Sequence, residues 1–199
     1  MNLAELRRSA ARLITGPLNA VLVKSRLKPN ILTWCALAIS LIAAATIATN
    51  HPIIGGFLVL ISGLFDILDG ALARLTNQAT RFGALLDSTF DRISDAILLL
   101  GLAAFYIRSG GTMEIVLVFL ALIASFLTSY IRARAEGIGI NCPVGLFTRT
   151  ERVIILALGL LFSPLCSYSI IIALLLMIVF GFVTVVQRLI YVWQQAKSK

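Results

Sequence analysis

Charged residues are scarce in this chain, and acidic ones are the scarcest. Charged side chains make up 13% of its 199 residues, with nine Asp and Glu against 17 Lys and Arg. A soluble domain has about 25% charged residues. Together with a hydrophobic fraction of 59%, this excludes a water-facing globule and predicts an integral membrane protein. The basic residues lie near the ends of apolar segments, which favours contact with membrane lipids and argues against nucleic acid as a partner.

Histidine and cysteine are also rare. The one histidine, His51, stands in a predicted turn beside Pro52. The three cysteines, Cys35, Cys142 and Cys166, are far apart in the sequence and form no CxxC pair. This spacing indicates neither a zinc site nor a disulfide framework. Any chemistry must therefore come from other side chains.

Six apolar segments are candidate membrane spans. They cover residues 30–49, 53–75, 82–107, 114–134, 151–165 and 168–192. Such runs favour helices, because backbone polar groups find no water in a bilayer. Residues 3–15 place apolar side chains opposite arginines, which predicts an interfacial amphipathic helix. The predicted fold is therefore all-α: an integral membrane bundle of six transmembrane helices with an N-terminal interfacial helix. Its two parts are a juxtamembrane segment, 1–28, and a transmembrane domain, 29–199.

The basic residues are distributed asymmetrically about these spans. With the N-terminus inside, all of the 17 Lys and Arg except Arg92 and Arg108 fall on the inside. Positive charge accumulates on the cytoplasmic side of membrane proteins. The sequence therefore predicts a multi-pass protein of the cell membrane with both termini in the cytoplasm.

Acidic residues cluster where spans two and three meet. Asp66 and Asp69 are three residues apart, and Asp87 and Asp91 are four apart, so each pair lies on one helix face. Carboxylates in a membrane repel one another unless a cation or protons neutralise them. Hard oxygen ligands suit Mg²⁺, Mn²⁺ or Ca²⁺, and four of them are enough for two ions, as in phosphoryl transfer. This pattern predicts a divalent metal centre near the cytoplasmic ends of the two spans.

Two other interpretations of the acidic cluster remain open. The carboxylates could pair with Arg74 and Arg92, in a structural subunit, or line the pathway of a small membrane cation transporter. Asp95 continues the acidic face by one turn. It either orients a ligand or is a structural partner of a polar residue such as Ser94 or Thr128, and we favour the structural role.

The spacing of the motif resembles that of a known family. The pattern D-x2-D-G-x2-A-R-x8-G-x3-D-x3-D runs from Asp66 to Asp91 and resembles the signature of the CDP-alcohol phosphotransferases at every fixed position. A Pro-Asn-x-x-Thr entry at Pro29 is also similar. The resemblance implies an enzyme of phospholipid biosynthesis that transfers a phosphatidyl group from a CDP-diacylglycerol-type lipid, or its ether analogue, to an alcohol and releases CMP.

The resemblance also implies roles for individual residues. The four aspartates would hold two Mg²⁺ or Mn²⁺ ions, and Asp91 would in addition be the general base. It further implies a homodimer and an active site that faces the cytoplasm. The residues that would bind the CDP-lipid are Asn30, Ile31, Leu32, Thr33, Gly70, Arg74 and Thr80.

The acceptor alcohol is indicated by a group of arginines. Arginine binds phosphate through paired donors, so these residues suit an acceptor that is itself phosphorylated, unless they only set topology or pair with Glu136 and Glu151. The segments YIRARAEG and RTER resemble those of phosphatidylinositol-phosphate synthases and their archaeal ether-lipid counterparts. This implies inositol 1-phosphate as the acceptor, with glycerol 3-phosphate, giving phosphatidylglycerophosphate, as the alternative. The predicted acceptor-phosphate residues are Arg132, Arg149, Arg152 and Arg188.

Overall fold

The computed structural model describes residues 29–76 and 80–197. Within these ranges all regular structure is α-helical, as predicted. The predicted helix at 3–15, the rest of the segment 1–28 and the turn at Asn77 lie outside the described residues. The helices are α1 (Pro29–Ala48), α2 (Pro52–Leu75), α3 (Arg81–Ser109), α4 (Thr112–Gly137), α5 (Arg149–Leu161) and α6 (Ser169–Lys197).

Four of these described helices, α1, α2, α4 and α6, are long and apolar enough to cross a membrane. The other two helices, α3 and α5, do not have this combination of length and apolar character, each for its own reason. Helix α3 has 29 residues, but its first half carries three aspartates. Helix α5 has 13 residues, about 20 Å at 1.5 Å per residue, whereas the hydrocarbon layer is about 30 Å thick. The chain is thus a membrane protein, and the count of six spans stays a prediction.

The outer surface of the bundle is apolar. Phe57 is 57% exposed, Ile42 55%, Phe119 49% and Val179 55%. Large aliphatic and aromatic side chains with this much exposure on several helices would form an extended apolar surface in water. In a bilayer the same side chains contact lipid tails.

Small residues allow the helices to pack closely. Helix α1 packs on α2 and α3, α4 on α3 and α6, and α5 on α2 and α6. A Cβ on Gly101 would lie 2.6 Å from the carbonyl oxygen of Ala44, and one on Gly181 would lie 2.9 Å from the Cβ of Ala124. Close backbone approach of this kind is typical of membrane helices, which associate through van der Waals contacts.

The α4–α5 connection, residues 138–148, is irregular but firmly held by α6. The hydroxyl of Thr184 accepts a hydrogen bond of 3.0 Å from the backbone N–H of Phe147. Arg188 donates through Nε to the carbonyl of Val144 at 2.9 Å and through Nη1 to the carbonyl of Thr128. These bonds fix the position at which α5 begins.

Helix α5 has a defined start and an earlier end than predicted. Glu151 accepts a hydrogen bond of 2.7 Å from the backbone N–H of Thr148, the residue before the helix. The predicted span 151–165 instead ends at Leu161. Pro164 bounds this segment in the sequence, and proline disfavours helical conformation in the residue before it, which accounts for the end of the helix ahead of Pro164.

Candidate functional site

Three of the four motif aspartates converge between α2 and α3. Asp66, Asp69 and Asp87 each offer a carboxylate oxygen, and these oxygens lie within 4.8 Å of one another. The predicted convergence is therefore present, although the turn that joins the two helices lies outside the described residues.

Asp69 lies deepest in this group, with 3% of its surface exposed. The donors beside its carboxylate are the Thr33 side chain and the Gly70 backbone, and its charged neighbours are the carboxylates of Asp66 and Asp87. Burying a carboxylate among like charges is unfavourable unless a cation binds it. The residues present therefore fit a divalent cation, which Asp66, Asp69 and Asp87 would hold.

Asp91, the fourth motif aspartate, is connected to this group through an arginine. Its Oδ1 lies 2.7 Å from Nη1 of Arg149. The same Nη1 also forms an ion pair with Asp66. One guanidinium thus touches two of the four predicted metal ligands, one on α2 and one on α3.

Asp95 extends the network away from the aspartate cluster. Its Oδ2 accepts a hydrogen bond of 2.8 Å from Arg152, and its Oδ1 lies 3.5 Å from Nε of Arg149. Arg152 also donates to the hydroxyl of Thr128 at 3.2 Å. The partners of Asp95 are therefore two guanidinium groups, and Thr128 joins the network through Arg152.

A cavity of about 350 Å³ lies beside the cluster. Its walls combine carboxylates of α3 with basic side chains of α4, α5 and α6. All four arginines predicted to bind the acceptor's phosphate line it. The charged lining residues are Asp87, Asp91, Arg92, Asp95, Arg132, Glu136, Arg149, Arg152 and Arg188.

Two of the four arginines predicted to bind the acceptor's phosphate have partners other than the aspartates. Arg132 pairs with Glu136 at 3.0 Å, with both side chains about half exposed. Arg188 is 5% exposed; its Nε donates to Val144 in the α4–α5 connection, and its Nη1 donates to the carbonyl of Thr128 on α4. Arg92, which the structural interpretation paired with the aspartates, donates to the backbone carbonyl of Ser88.

Two of the predicted CDP-lipid residues, Thr80 and Asn30, lie beside the start of α3. The hydroxyl of Thr80 accepts a hydrogen bond of 2.9 Å from the N–H of Gly83, and a Cβ on Gly83 would lie 3.7 Å from Oδ1 of Asn30. Leu32 is buried with Leu68, whereas Ile31 is 47% exposed. The side chain of Arg74 lies outside the described part of the chain.

The sequence did not reveal that Arg149 bridges Asp66 and Asp91. These residues are far apart in the chain, and no helical spacing relates position 149 to either aspartate. The role of Thr184 was also missed, because an isolated threonine in an apolar helix carries no distinctive pattern. Thr128 was named as a possible partner of Asp95, and it reaches Asp95 through Arg152. The one feature of the sequence that could have indicated this arginine network was the position of Asp95, one helical turn beyond the motif.

Comparison with known proteins decides the family. The family model described as CDP-alcohol phosphatidyltransferase matches residues 26–190. The chain belongs to this family. It is therefore a membrane transferase, and the resemblance predicted from the aspartate motif is confirmed.

Individual relatives narrow the comparison. The chain is 39% identical to the archaetidylinositol phosphate synthase of Methanothermobacter thermautotrophicus over 172 residues, covering 86% of both chains. It is 40% identical to the phosphatidylinositol phosphate synthase of Mycobacteroides abscessus over 162 residues, covering 79% of this chain and 73% of the relative. The predicted similarity to the diacyl and the ether-lipid synthases is thus confirmed.

Solved structures give the same result. The crystal structure of the Mycobacterium tuberculosis phosphatidylinositol phosphate synthase with CDP-DAG bound matches with a TM-score of 0.80 and 33% identity, covering 92% of this chain and 94% of that one. The same synthase in complex with manganese and citrate matches with a TM-score of 0.79 and 34% identity, covering 90% and 88%. The manganese complex and the aspartate group together support a divalent-cation site in this fold.

Proposed function

We propose that the protein transfers a phosphatidyl group, or its ether-lipid analogue, from a CDP-diacylglycerol-type lipid to the hydroxyl of inositol 1-phosphate. The products are CMP and a phosphatidylinositol phosphate. The reaction requires Mg²⁺ or Mn²⁺, with two ions held by Asp66, Asp69, Asp87 and Asp91. The family, the names of the relatives and the lining of the cavity support this proposal.

The observation that carries the proposal is the composition of the cavity. Asp87 and Asp91, from the metal-binding motif, share it with a group of arginines on the facing helices. Arginine binds phosphate through parallel N–H donors. A phosphorylated alcohol bound in this cavity would place its phosphate among the arginines and its hydroxyl toward the aspartates, whereas an alcohol without phosphate would offer the arginines no anion.

The chemical step is a displacement at phosphorus. The acceptor hydroxyl attacks the lipid-side phosphorus of the CDP-lipid, the bond from this phosphorus to the CMP oxygen breaks, and the proton of the hydroxyl passes to Asp91. The bound cations supply charge neutralisation on the diphosphate and on the departing CMP. The arginines hold the acceptor in line with the phosphorus, and this positioning lowers the entropic part of the barrier.

The remaining parts of the proposal concern the lipid and the membrane. The segment Asn30 to Thr33, with Gly70, Arg74 and Thr80, binds the CDP group. The active site and both termini face the cytoplasm, which follows from the charge asymmetry of the sequence. Helices α3 and α5 complete a six-span domain over residues 29–199, preceded by the juxtamembrane segment 1–28, and the protein forms a homodimer.

An assay of CMP release tests the proposal. Purified protein in detergent receives CDP-diacylglycerol with Mn²⁺ or Mg²⁺, and inositol 1-phosphate, glycerol 3-phosphate, inositol and serine are compared as acceptors. We expect release with inositol 1-phosphate that stops when EDTA is added. Release with glycerol 3-phosphate alone would assign a phosphatidylglycerophosphate synthase, and no metal-dependent release with any acceptor would refute the enzymatic function.

A further inference from the structure

Arg149 occupies a position between the aspartate cluster and the arginine-lined cavity. Its Nη1 touches Asp66 and Asp91, and its Nε faces Asp95 at 3.5 Å. The side chain is 17% exposed, so solvent screens these contacts only weakly. The same residue also lines the cavity with Arg152 and Arg188.

The contacts to Asp66 and Asp91 use carboxylates that belong to the predicted metal centre. Mg²⁺ binds carboxylate oxygens directly, at about 2.0–2.1 Å. A guanidinium nitrogen at hydrogen-bond distance from the same two carboxylates brings a second positive charge next to the cation. The two positive groups therefore compete for Asp66 and Asp91.

The guanidinium has a second environment within reach. Asp95 lies on the side of Arg149 away from the motif, and it also holds Arg152 at 2.8 Å. Rotation of Arg149 toward Asp95 would give it the same anchor as Arg152. Both guanidiniums would then face the cavity from one side, as a site for the phosphate of an acceptor.

We propose that Arg149 couples the metal centre to the acceptor cavity, because cation binding at Asp66 and Asp91 displaces its guanidinium toward the acceptor's phosphate. This inference rests on the proposed function in that the acceptor carries a phosphate. Coupling between two sites is reciprocal. Cation binding therefore strengthens anion binding in the cavity, and anion binding strengthens cation binding by the same factor.

Such coupling orders the assembly of the active site. Without a cation, the guanidinium of Arg149 lines the cavity but is engaged by Asp66 and Asp91, so it is not available to an anion there. With the cation bound, the cluster no longer needs Arg149, and its guanidinium joins the other arginines of the cavity in binding the phosphate. The acceptor is then held firmly only when the metal centre is loaded.

The coupling can be measured without turnover. Mn²⁺ binding to the purified full-length protein is followed by the electron paramagnetic resonance signal of free Mn²⁺, at constant ionic strength. Titrations are run with no added anion and with saturating inositol 1-phosphate, glycerol 3-phosphate or sulfate, with uncharged inositol as the control. We expect a phosphate-bearing acceptor to tighten Mn²⁺ binding at least about fivefold, the lower end of typical coupling between sites, and inositol to have no effect.

Two matched variants locate the coupling. Arg149→Gln should bind Mn²⁺ more tightly than the wild type without anion, and added anion should no longer change its affinity. Arg152→Gln also removes one positive charge beside Asp95. Within the described residues, however, the side chain of Arg152 contacts neither Asp66 nor Asp91. The Mn²⁺ affinity of this variant without anion should change much less, and saturating anion should still tighten Mn²⁺ binding.

The inference is overturned if no phosphate-bearing acceptor affects Mn²⁺ binding to the wild type, or if the effect persists fully in Arg149→Gln. If that variant does not fold, Arg149→Lys replaces it. A single ammonium group cannot reproduce the contacts of the planar guanidinium, so this variant should show reduced coupling. The CMP-release assay separates the two proposals. Normal release from inositol 1-phosphate without coupling rejects this inference alone, whereas coupling with glycerol 3-phosphate but not inositol 1-phosphate rejects only the proposed acceptor.

Discussion

Arg152 Nη2 donates a hydrogen bond of 2.8 Å to Oδ2 of Asp95 and so joins α5 to α3 in the interior of the protein. Arg152 is 4% exposed. Removing one member of a buried ion pair leaves the other charged and unpaired, whereas replacing both with apolar residues avoids this penalty. The contribution of this pair to the free energy of unfolding can therefore be measured by comparing the two single substitutions with the double substitution.

Asp95→Leu alone should lower the free energy of unfolding by roughly 3 kcal/mol. Arg152→Met alone should lower it by less, because Asp95 keeps its 3.5 Å contact with Nε of Arg149. The double variant should be close to the wild type. Thermal or denaturant unfolding in detergent measures the three values. Arg132→Met serves as the control, because its exposed pair with Glu136 contributes at most about 1 kcal/mol. Additive losses in the double variant would contradict this account.

Asp69→Asn should separate stability from metal binding. Removing a buried charge that lies beside the carboxylates of Asp66 and Asp87 should leave the apparent Tm of the metal-free protein unchanged or raise it. Mn²⁺ affinity should fall by more than about 100-fold. This is a larger loss than is typical for changing a residue that only hydrogen-bonds to a metal ligand. Mn²⁺ titration and thermal unfolding in EDTA check the two halves. A lower Tm with unchanged Mn²⁺ affinity would assign Asp69 a structural role.

Asp91→Asn tests the proposed general base. The substitution preserves the size of the side chain but removes its ability to accept a proton, so kcat should fall by about 10²–10⁴-fold. CDP-lipid binding, measured directly with the purified variant, should remain detectable. Turnover at the wild-type rate would show that the proton goes elsewhere.

Gly145→Ala should destabilise the α4–α5 connection. Gly145 has a φ of +142°, and a Cβ there would lie 3.0 Å from Nη2 of Arg188 and from the Cγ2 of Thr184. Backbone strain of this kind costs about 1–3 kcal/mol, and unfolding in detergent would measure it. Gly137→Ala is the matched control, since nothing lies within 4 Å of its added Cβ. Equal effects of the two substitutions would show that the conformation of Gly145 is not required.

The helices and the acidic cluster could be predicted because their signals are local. Apolar runs gave the positions of α1, α2, α4 and α6 closely, and the spacing of Asp66 and Asp69 placed both carboxylates on one face of a helix. The fixed spacing of the motif identified the family, and the family model confirms it. The end of α5 was predicted at 165, beyond its actual end at Leu161, because the apolar segment continues past the end of the helix.

The contacts of the arginines could not be predicted. Whether Arg149 faces a phosphate, a carboxylate or a lipid headgroup depends on where α5 packs, and α5 packs against α2, which is distant in sequence. Arg188 lies in an apolar helix, and its bonds to backbone carbonyls leave no trace in the residue pattern. Apolar faces that contact lipid and those that contact protein also look alike in the sequence.

The 13 residues of α5 leave it about 10 Å shorter than a typical hydrocarbon layer. In the proposed six-span arrangement, either the bilayer would thin around this helix, or one of its ends would lie below the level of the headgroups. In both cases water would reach further beside α5 than beside the 29-residue α6. For the proposed reaction, this gives the water-soluble acceptor and CMP a route beside α5, while the lipid product moves sideways into the leaflet.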